Sequence, residues 1–169
     1  KVAADKYLRM LWDAYQFPIT VMRPFNSYGR KGNVHFVTEK IIYQMLTNKH
    51  KIVLGDPKPV RDFVYVDDHV DAYLKVVGNS RVVDRAFNIC SGQGITIEKY
   101  ALKIAELLDW HGNIQWDTIP SRPNDIHTLI GDNSKAWQLL KWEPKTTLEQ
   151  GLTKTIREIK KICHTAEAN

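Results

Sequence analysis

Cysteine is scarce in this sequence of 169 residues, which contains Cys90 and Cys163 and no others. Two cysteines so far apart provide neither a disulfide framework nor the spacing of a zinc site. A reducing, cytoplasmic setting is therefore the default expectation. Long apolar runs are also lacking. None approaches the roughly 18 residues that a membrane-spanning helix needs, and nothing resembles a signal peptide. We therefore expect no membrane partner.

Several motifs that would identify a reaction are missing as well. No G-x-G-x-x-G follows a predicted strand, and the sequence has no phosphate-binding P-loop, no G-x-S-x-G elbow and no histidine pair at metal spacing. The isolated Gly92-Gln-Gly94 is better explained as a turn. These absences argue against a metal site and against a complete dinucleotide site within the sequence.

The sequence carries a moderate excess of basic residues. The sequence has 24 Lys and Arg against 19 Asp and Glu, a net charge of +5. The basic residues are scattered, which favours a solvated basic surface over a nucleic-acid partner. Hydrophobic residues make up 43% and charged residues 25%, as in an ordinary soluble domain.

Apolar periodicity predicts alternating helices and strands, and hence an α/β fold. Helices are expected at 1–16, 38–48, from 67, at 97–109, 134–140 and from 148, and strands at 19–23, 51–55, 60–66, 86–90, 114–116 and 127–130. We predict one α/β unit over residues 1–163 and a frayed tail over 164–169. The first residue is Lys1 rather than Met and lies inside a predicted helix, which suggests part of a longer protein.

Helix starts can be predicted from capping residues. Thr38, Asp67 and Thr96 are expected at N-cap positions. Thr147-Leu-Glu-Gln150 has the form of a capping box. Two helices show a clear apolar face, formed by Leu8, Leu11, Trp12 and Tyr15 in the first and by Val70, Tyr73, Leu74 and Val77 in the third.

Three polar clusters are candidates for a site. The first is the loop after strand 19–23, with Arg23, Asn26 and Tyr28, because ligands in open α/β sheets bind beyond the carboxyl ends of strands. The second is Val60-Arg-Asp-Phe-Val-Tyr-Val-Asp-Asp68, in which Arg61 lies at the start of an apolar segment where a charge requires a partner. The third is the pair Arg122 and Asp125 on a proline-stiffened loop.

The chemistry of these clusters leaves two interpretations open. Two arginines from separate loops suit a diphosphate, because guanidinium groups make bidentate, charge-assisted contacts to phosphate oxygens. An adjacent carboxylate suits sugar hydroxyls. Alternatively, the arginines have a purely structural role, in which Arg61 pairs with Asp62 or Asp67 and Arg122 pairs with Asp125.

The order of the motifs resembles a known family. The chain carries, in sequence, K-V-A-A-D-K-Y-L, R-P-F-N-S-Y-G, G-D-P-K-P-V-R-D-F-V-Y-V-D-D, F-N-I-C-S-G, R-P-N-D, D-N-S-K-A and L-L-K-W-E-P-K-T-T-L-E-Q-G-L. This series resembles the carboxy-terminal half of the extended short-chain dehydrogenases/reductases, and within them the nucleotide-sugar epimerases and 4,6-dehydratases. The resemblance covers about residues 1–160.

The resemblance implies a Rossmann-type fold of which this chain supplies the last sheet strands and the small substrate-binding lobe. Lys1 matches the lysine of the family's Y-x-x-x-K motif, which binds the nicotinamide ribose of NAD or NADP and lowers the pKa of the catalytic tyrosine. Pro24 and Phe25 match the loop beside the nicotinamide. The fingerprint glycines and the catalytic tyrosine of the family precede Lys1.

The remaining implied residues face the nucleotide sugar. Asn26 matches an amide that contacts phosphates or sugar, and Leu54 a position that packs on the nucleobase. Arg61 matches the arginine that binds the diphosphate. Arg122 and Asp125 match a pair that reaches phosphate and ribose hydroxyls. Val34 and His35 fall where the family's loop touches the nucleotide, although the spacing varies there.

The implied activity is that of an NAD(P)-dependent nucleotide-sugar epimerase or 4,6-dehydratase that forms a 4-keto sugar. The alternative is a non-catalytic half-domain that binds nucleotide sugars or is purely structural. The resemblance also implies a homodimer, formed through a helical bundle that includes residues 1–16, and a preceding Rossmann half as partner. We expect no turnover from this chain alone, because the fingerprint and the tyrosine are absent.

Overall fold

Helices and strands alternate along the chain in a computed structural model that describes residues 1–29, 35–117 and 126–167. The α-helices are α1 (Val2–Tyr15), α2 (Val37–Thr47), α3 (Val66–Val76), α4 (Ile97–Leu108), α5 (Ser134–Leu140) and α6 (Leu148–Glu167), with a short 3₁₀ helix at Ser80–Val82. The strands are β1 (Thr20–Pro24), β2 (Asn26–Tyr28), β3 (Lys51–Leu54), β4 (Val60–Arg61), β5 (Phe63–Tyr65), β6 (Arg85–Ile89), β7 (Ile95–Thr96), β8 (Asn113–Trp116) and β9 (Thr128–Leu129).

The strands pair mostly in parallel. β1 pairs with β6, β2 with β5, and β3 with β8, each in parallel register. β4 is parallel to β9 and antiparallel to β7. Parallel neighbours need long crossover connections, and the helices between these strands provide them. The α/β class predicted from the alternation is confirmed.

Two of the predicted helix starts are confirmed by their hydrogen bonds. The Thr96 hydroxyl accepts a hydrogen bond from the Lys99 amide at 3.2 Å. At the start of α6, the Gln150 amide donates to the Thr147 hydroxyl at 3.2 Å, and the Thr147 amide donates to the Gln150 side chain at 3.1 Å. This reciprocal pair is a capping box.

The other two helix starts were predicted wrongly. α2 begins one residue before Thr38, whose hydroxyl lies 2.8 Å from the Tyr100 hydroxyl inside the core. Tyr65 occupies the N-cap position of α3, so Asp67 lies within its first turn. The Thr38 side chain is thus placed by a contact across the fold, whereas Asp67 is exposed.

The segment after β1 also differs from its prediction. Residues 26–28, expected as part of a loop, form strand β2 and pair with β5. The stripe predicted on α3 does lie on one face, but that face is exposed: Val70 by 51% and Leu74 by 67%. Asp68 faces inward instead, because its carboxylate accepts hydrogen bonds from the amides of Lys145 and Thr146.

Buried side chains form two clusters in the described chain. The larger joins α2, α4 and α6 around an aromatic group, in which the rings of Phe63 and Tyr100 stack at 4.0 Å and Tyr28 packs edge-on to both. The smaller lies where α3 and α5 contact β6, with Phe87, Ile89 and Trp142 at its centre. The candidate site lies at the strand ends next to these clusters.

Candidate functional site

The end of β1 carries the predicted residues Pro24, Phe25 and Asn26. The Phe25 amide donates to the Ile89 carbonyl at 3.0 Å, which continues the pairing of β1 with β6. Both the amide and the side-chain Nδ2 of Asn26 donate to the Asp62 carbonyl, at 3.2 and 3.0 Å. Asn26 is therefore fixed beside the residue that follows Arg61.

Arg61 itself lies at the end of β4 and is partly buried. Its Nη1 donates to the carbonyl of Val60 at 2.9 Å and to that of His127 at 3.4 Å. These main-chain contacts orient the guanidinium group. The structure thus brings Arg61 and Asn26, predicted from separate motifs, to adjoining positions.

Asp62 adjoins both candidates, although the sequence predicts it only as a possible partner of Arg61. It is fully buried, with 0% of its surface exposed. Its Oδ1 accepts from the Ser91 amide at 2.8 Å and the Ser91 hydroxyl at 2.6 Å, and its Oδ2 accepts from the amides of Gly92 at 3.0 Å and Gly131 at 3.2 Å. The structural interpretation of the sequence paired Arg61 with Asp62 or Asp67, but the donors to the Asp62 carboxylate are Ser91, Gly92 and Gly131. The burial argument applied to Arg61 would have found Asp62 as well, since a buried carboxylate also requires partners.

The carboxylate network affects the thiol beside it. Cys90 follows β6 and is fully buried. Burial and the negative charge of Asp62 raise the pKa of the Cys90 thiol to about 12. A thiol held neutral in this way is a packing group and not a nucleophile.

Two members of the first polar cluster do not belong to the site. Arg23 points to α1, where its Nη2 lies 2.6 Å from a carboxylate oxygen of Asp5. Tyr28 is 1% exposed, and its hydroxyl donates to the Leu148 carbonyl at 3.4 Å. Burial raises the pKa of Tyr28 well above its ordinary value, and Asp68 and Tyr65 add to the shift. Both residues have structural partners, so Asn26 is the member of that cluster that remains a candidate.

The other predicted residues have varied surroundings. Lys1 is exposed at the start of α1, where its carbonyl accepts the Asp5 amide at 3.0 Å. Leu54 is 5% exposed and packs in the larger core, which leaves little of its side chain for a nucleobase. His35 is exposed just before α2. Val34, Arg122 and Asp125 lie outside the described residues. Their roles stay predictions.

Within residues 1–29, 35–117 and 126–167, no group of three or more His, Cys, Asp or Glu side chains could hold a metal ion. No helix in the same part of the chain is both long enough and apolar enough to cross a bilayer.

Solved structures identify the class. The chain superposes on UDP-glucose 4-epimerase with UDP-glucose from Thermotoga maritima with a TM-score of 0.88 and 30% identity, over 96% of this chain and 52% of that one. It superposes on dTDP-glucose 4,6-dehydratase in complex with NAD from Bacillus anthracis with a TM-score of 0.86 and 27% identity, over 95% of this chain and 50% of that one. The fold is thus that of the Rossmann-type extended short-chain dehydrogenases/reductases, and this chain spans about half the length of each of these structures.

Sequence comparison narrows the class to a family. Residues 1–155 match the GDP-mannose 4,6 dehydratase family model, and the chain belongs to that family. A relative from Oryza sativa subsp. japonica, described as probable GDP-L-fucose synthase 1, is 26% identical over 166 residues. That match covers 93% of this chain and 49% of the relative, so the chain spans about half the length of the curated protein it matches.

Proposed function

We propose that this chain forms the nucleotide-sugar side of an NAD(P)-dependent epimerase or 4,6-dehydratase that acts through a 4-keto sugar. The observation that carries the proposal is that Asn26 lies beside Asp62, the residue that follows Arg61. Both Asn26 nitrogens donate to the Asp62 carbonyl. An oriented amide next to a guanidinium group suits a diphosphate, which accepts hydrogen bonds from both.

The comparisons support the choice of ligand. A structural neighbour was solved with UDP-glucose and another with NAD. We assign the diphosphate to Arg61 and Asn26, with Arg122 and Asp125 as further contacts. The exposed Lys1 and the β1 end at Pro24 and Phe25 would face the nicotinamide.

NAD or NADP would supply a hydride acceptor that takes the hydrogen from C4 of the sugar and later returns it. The residues of this chain bind and orient the substrate for that exchange. Lys1 would hold a positive charge near the base that removes the C4 hydroxyl proton, which favours the ionised form of that base. Return of the hydride would complete an epimerisation, or a 4,6-dehydration once water has been lost.

Calorimetric titration of the chain with UDP-, dTDP-, CDP- and GDP-sugars tests the binding part of this proposal. We expect one of these to bind and the Arg61→Ala variant to bind it about tenfold or more weakly. Arg81→Ala, at an exposed position of the 3₁₀ helix, is the matched control and should bind like the wild type. Absence of binding to all four would favour the alternative of a purely structural half-domain.

The same samples test the expectation about turnover. With NAD and the bound nucleotide sugar added, the 169-residue chain should form no 4-keto product. Detection of a 4-keto sugar by absorbance after alkaline treatment, or by mass, would show that the chain is catalytic on its own.

A further inference from the structure

We infer that Asp62 is a positioning residue of the diphosphate site. Its buried carboxylate sets the placement of Asn26, Phe25 and Arg61. This inference rests on the proposed function. It assigns a role in ligand binding to a side chain that is 0% exposed and touches no ligand itself.

The Asp62 carboxylate joins segments that are far apart in the sequence. Asp62 lies between β4 and β5, whereas its hydrogen-bond donors follow β6, at Ser91 and Gly92, and β9, at Gly131. One side chain thus ties together the ends of strands from separate parts of the sequence. These backbone amides donate to the carboxylate at 2.8 to 3.2 Å, and hydrogen bonds to an ionised acceptor are stronger than those between neutral groups.

The positions of Asn26, Arg61 and Phe25 depend on this junction. The main chain of Asp62 accepts both Asn26 nitrogens, so any displacement of residue 62 shifts the amide. Arg61 is the preceding residue. Gly131, held by the carboxylate, packs against Phe25: a Cβ built on it would lie 2.7 Å from the Phe25 ring atom Cζ. The predicted ligand contacts of Asn26, Arg61 and Phe25 therefore depend on the hydrogen bonds of Asp62.

A second buried carboxylate allows a role in positioning to be separated from a role in stability. Asp68 is a second buried carboxylate, 6% exposed, which accepts the amides of Lys145 and Thr146. These hydrogen bonds hold the connection between α5 and α6. They do not involve the strand ends of the candidate site. Removal of either charge leaves buried amides without a full acceptor, which is costly to the fold. Only the change at Asp62 should move the ligand-binding groups.

The test compares Asp62→Asn with Asp68→Asn in the whole 169-residue chain. Both variants should melt at lower temperature than the wild type. Affinity for UDP, dTDP, CDP and GDP is then measured by calorimetry, well below both melting temperatures. We expect Asp62→Asn to weaken the best of these about tenfold and Asp68→Asn to change it less than about twofold. Equal weakening in both variants, or none in Asp62→Asn, would overturn the inference.

A milder variant keeps the test decisive if Asp62→Asn does not fold. Ser91→Ala removes the hydroxyl that donates to Oδ1 at 2.6 Å and leaves the three backbone donors in place. It should weaken the same diphosphate about threefold, and unchanged affinity would overturn the inference. If the wild type binds none of the four diphosphates, the proposed function fails and the inference fails with it. Binding by the wild type with no effect at Asp62 defeats the inference alone.

Discussion

Helices α1 and α4 have the same kind of sequence and opposite surroundings. Both show apolar residues at helical spacing. α4 buries Tyr100, Ala101, Ile104 and Ala105, whereas α1 buries no residue at all. On α1, Tyr7 is 59% exposed and Met10 is 43% exposed. The periodicity of a sequence therefore sets which side chains share a face, but it does not decide whether anything covers that face.

Ion pairs connect α1 to the rest of the described chain. Arg9 Nη1 donates to both carboxylate oxygens of Asp84, at 2.9 and 3.1 Å, and Arg23 binds Asp5. These ion pairs are exposed, and such pairs contribute little to stability. The described chain thus has a firm core around α4 and a weakly held helix at α1.

The largest expected effect sharpens this contrast. Tyr100→Ala should lower the free energy of unfolding by about 4 kcal/mol, because it opens a cavity beside Phe63 and removes the partner of the Thr38 hydroxyl. Tyr7→Ala on α1 should change it by less than about 0.5 kcal/mol. Urea denaturation followed by circular dichroism measures both. Similar losses in the two variants would mean that α1 is packed as firmly as α4.

Gly151 offers a second test of the core, with an effect of about half that size. Gly151→Ala places a Cβ against the hydroxyl and ring of Tyr28, which is buried among aromatic side chains. We expect a loss of about 2 kcal/mol from overpacking, measured by the same denaturation. Helix propensity alone predicts a gain of about 1 kcal/mol instead. Gly55→Ala, where a Cβ would meet nothing within 4 Å, is the matched control.

Local features explain what the sequence could predict. The strands near Thr20–Pro24 and Arg85–Ile89 are short apolar runs between turn residues, and the caps at Thr96 and Thr147 involve groups three residues apart. Such signals are contained in a few neighbouring residues. Arg61 and Asn26 were found through motifs, and the structure brings them together.

Features that depend on distant partners were missed for a physical reason. Asn26 bonds to Asp62 across 36 residues, so its neighbours in the sequence carry no sign of strand β2. Only the hydroxyl end of Tyr28 is polar. Its ring packs in an aromatic core with Phe63, a contact that no local sequence pattern indicates. The partners of Asp62 were not predicted, because its four donors come from segments after β6 and β9.

The exposed apolar side chains of α1 lead to a prediction about self-association. If a second copy covers it, as the family resemblance implies, the double variant Tyr7→Glu/Met10→Glu should weaken self-association at least about tenfold in sedimentation equilibrium, because charges replace apolar contacts. The control is Val70→Glu/Leu74→Glu on the other exposed apolar face, that of α3. Loss of association in the α3 variant alone would place the contact there instead.

The smallest expected effect concerns the Cys90 thiol, which follows the end of β6. Burial and Asp62 raise the pKa of Cys90 to about 12 from an ordinary value of 9.0. The folded chain therefore holds this proton more tightly than the unfolded chain. Its contribution to stability is full below pH 9 and is lost as the pH rises from about 9 towards 12.

Between pH 8 and pH 10, this thiol should reduce the free energy of unfolding by about 1 kcal/mol. The Cys90→Ala variant should lack that part of the decline, whereas Cys163→Ala, which leaves Cys90 in place, should keep it. Chemical denaturation at the two pH values measures the difference. The same decline in Cys90→Ala as in the wild type would mean that water reaches the thiol, and that the strand end beside Asp62 is as loosely packed as α1.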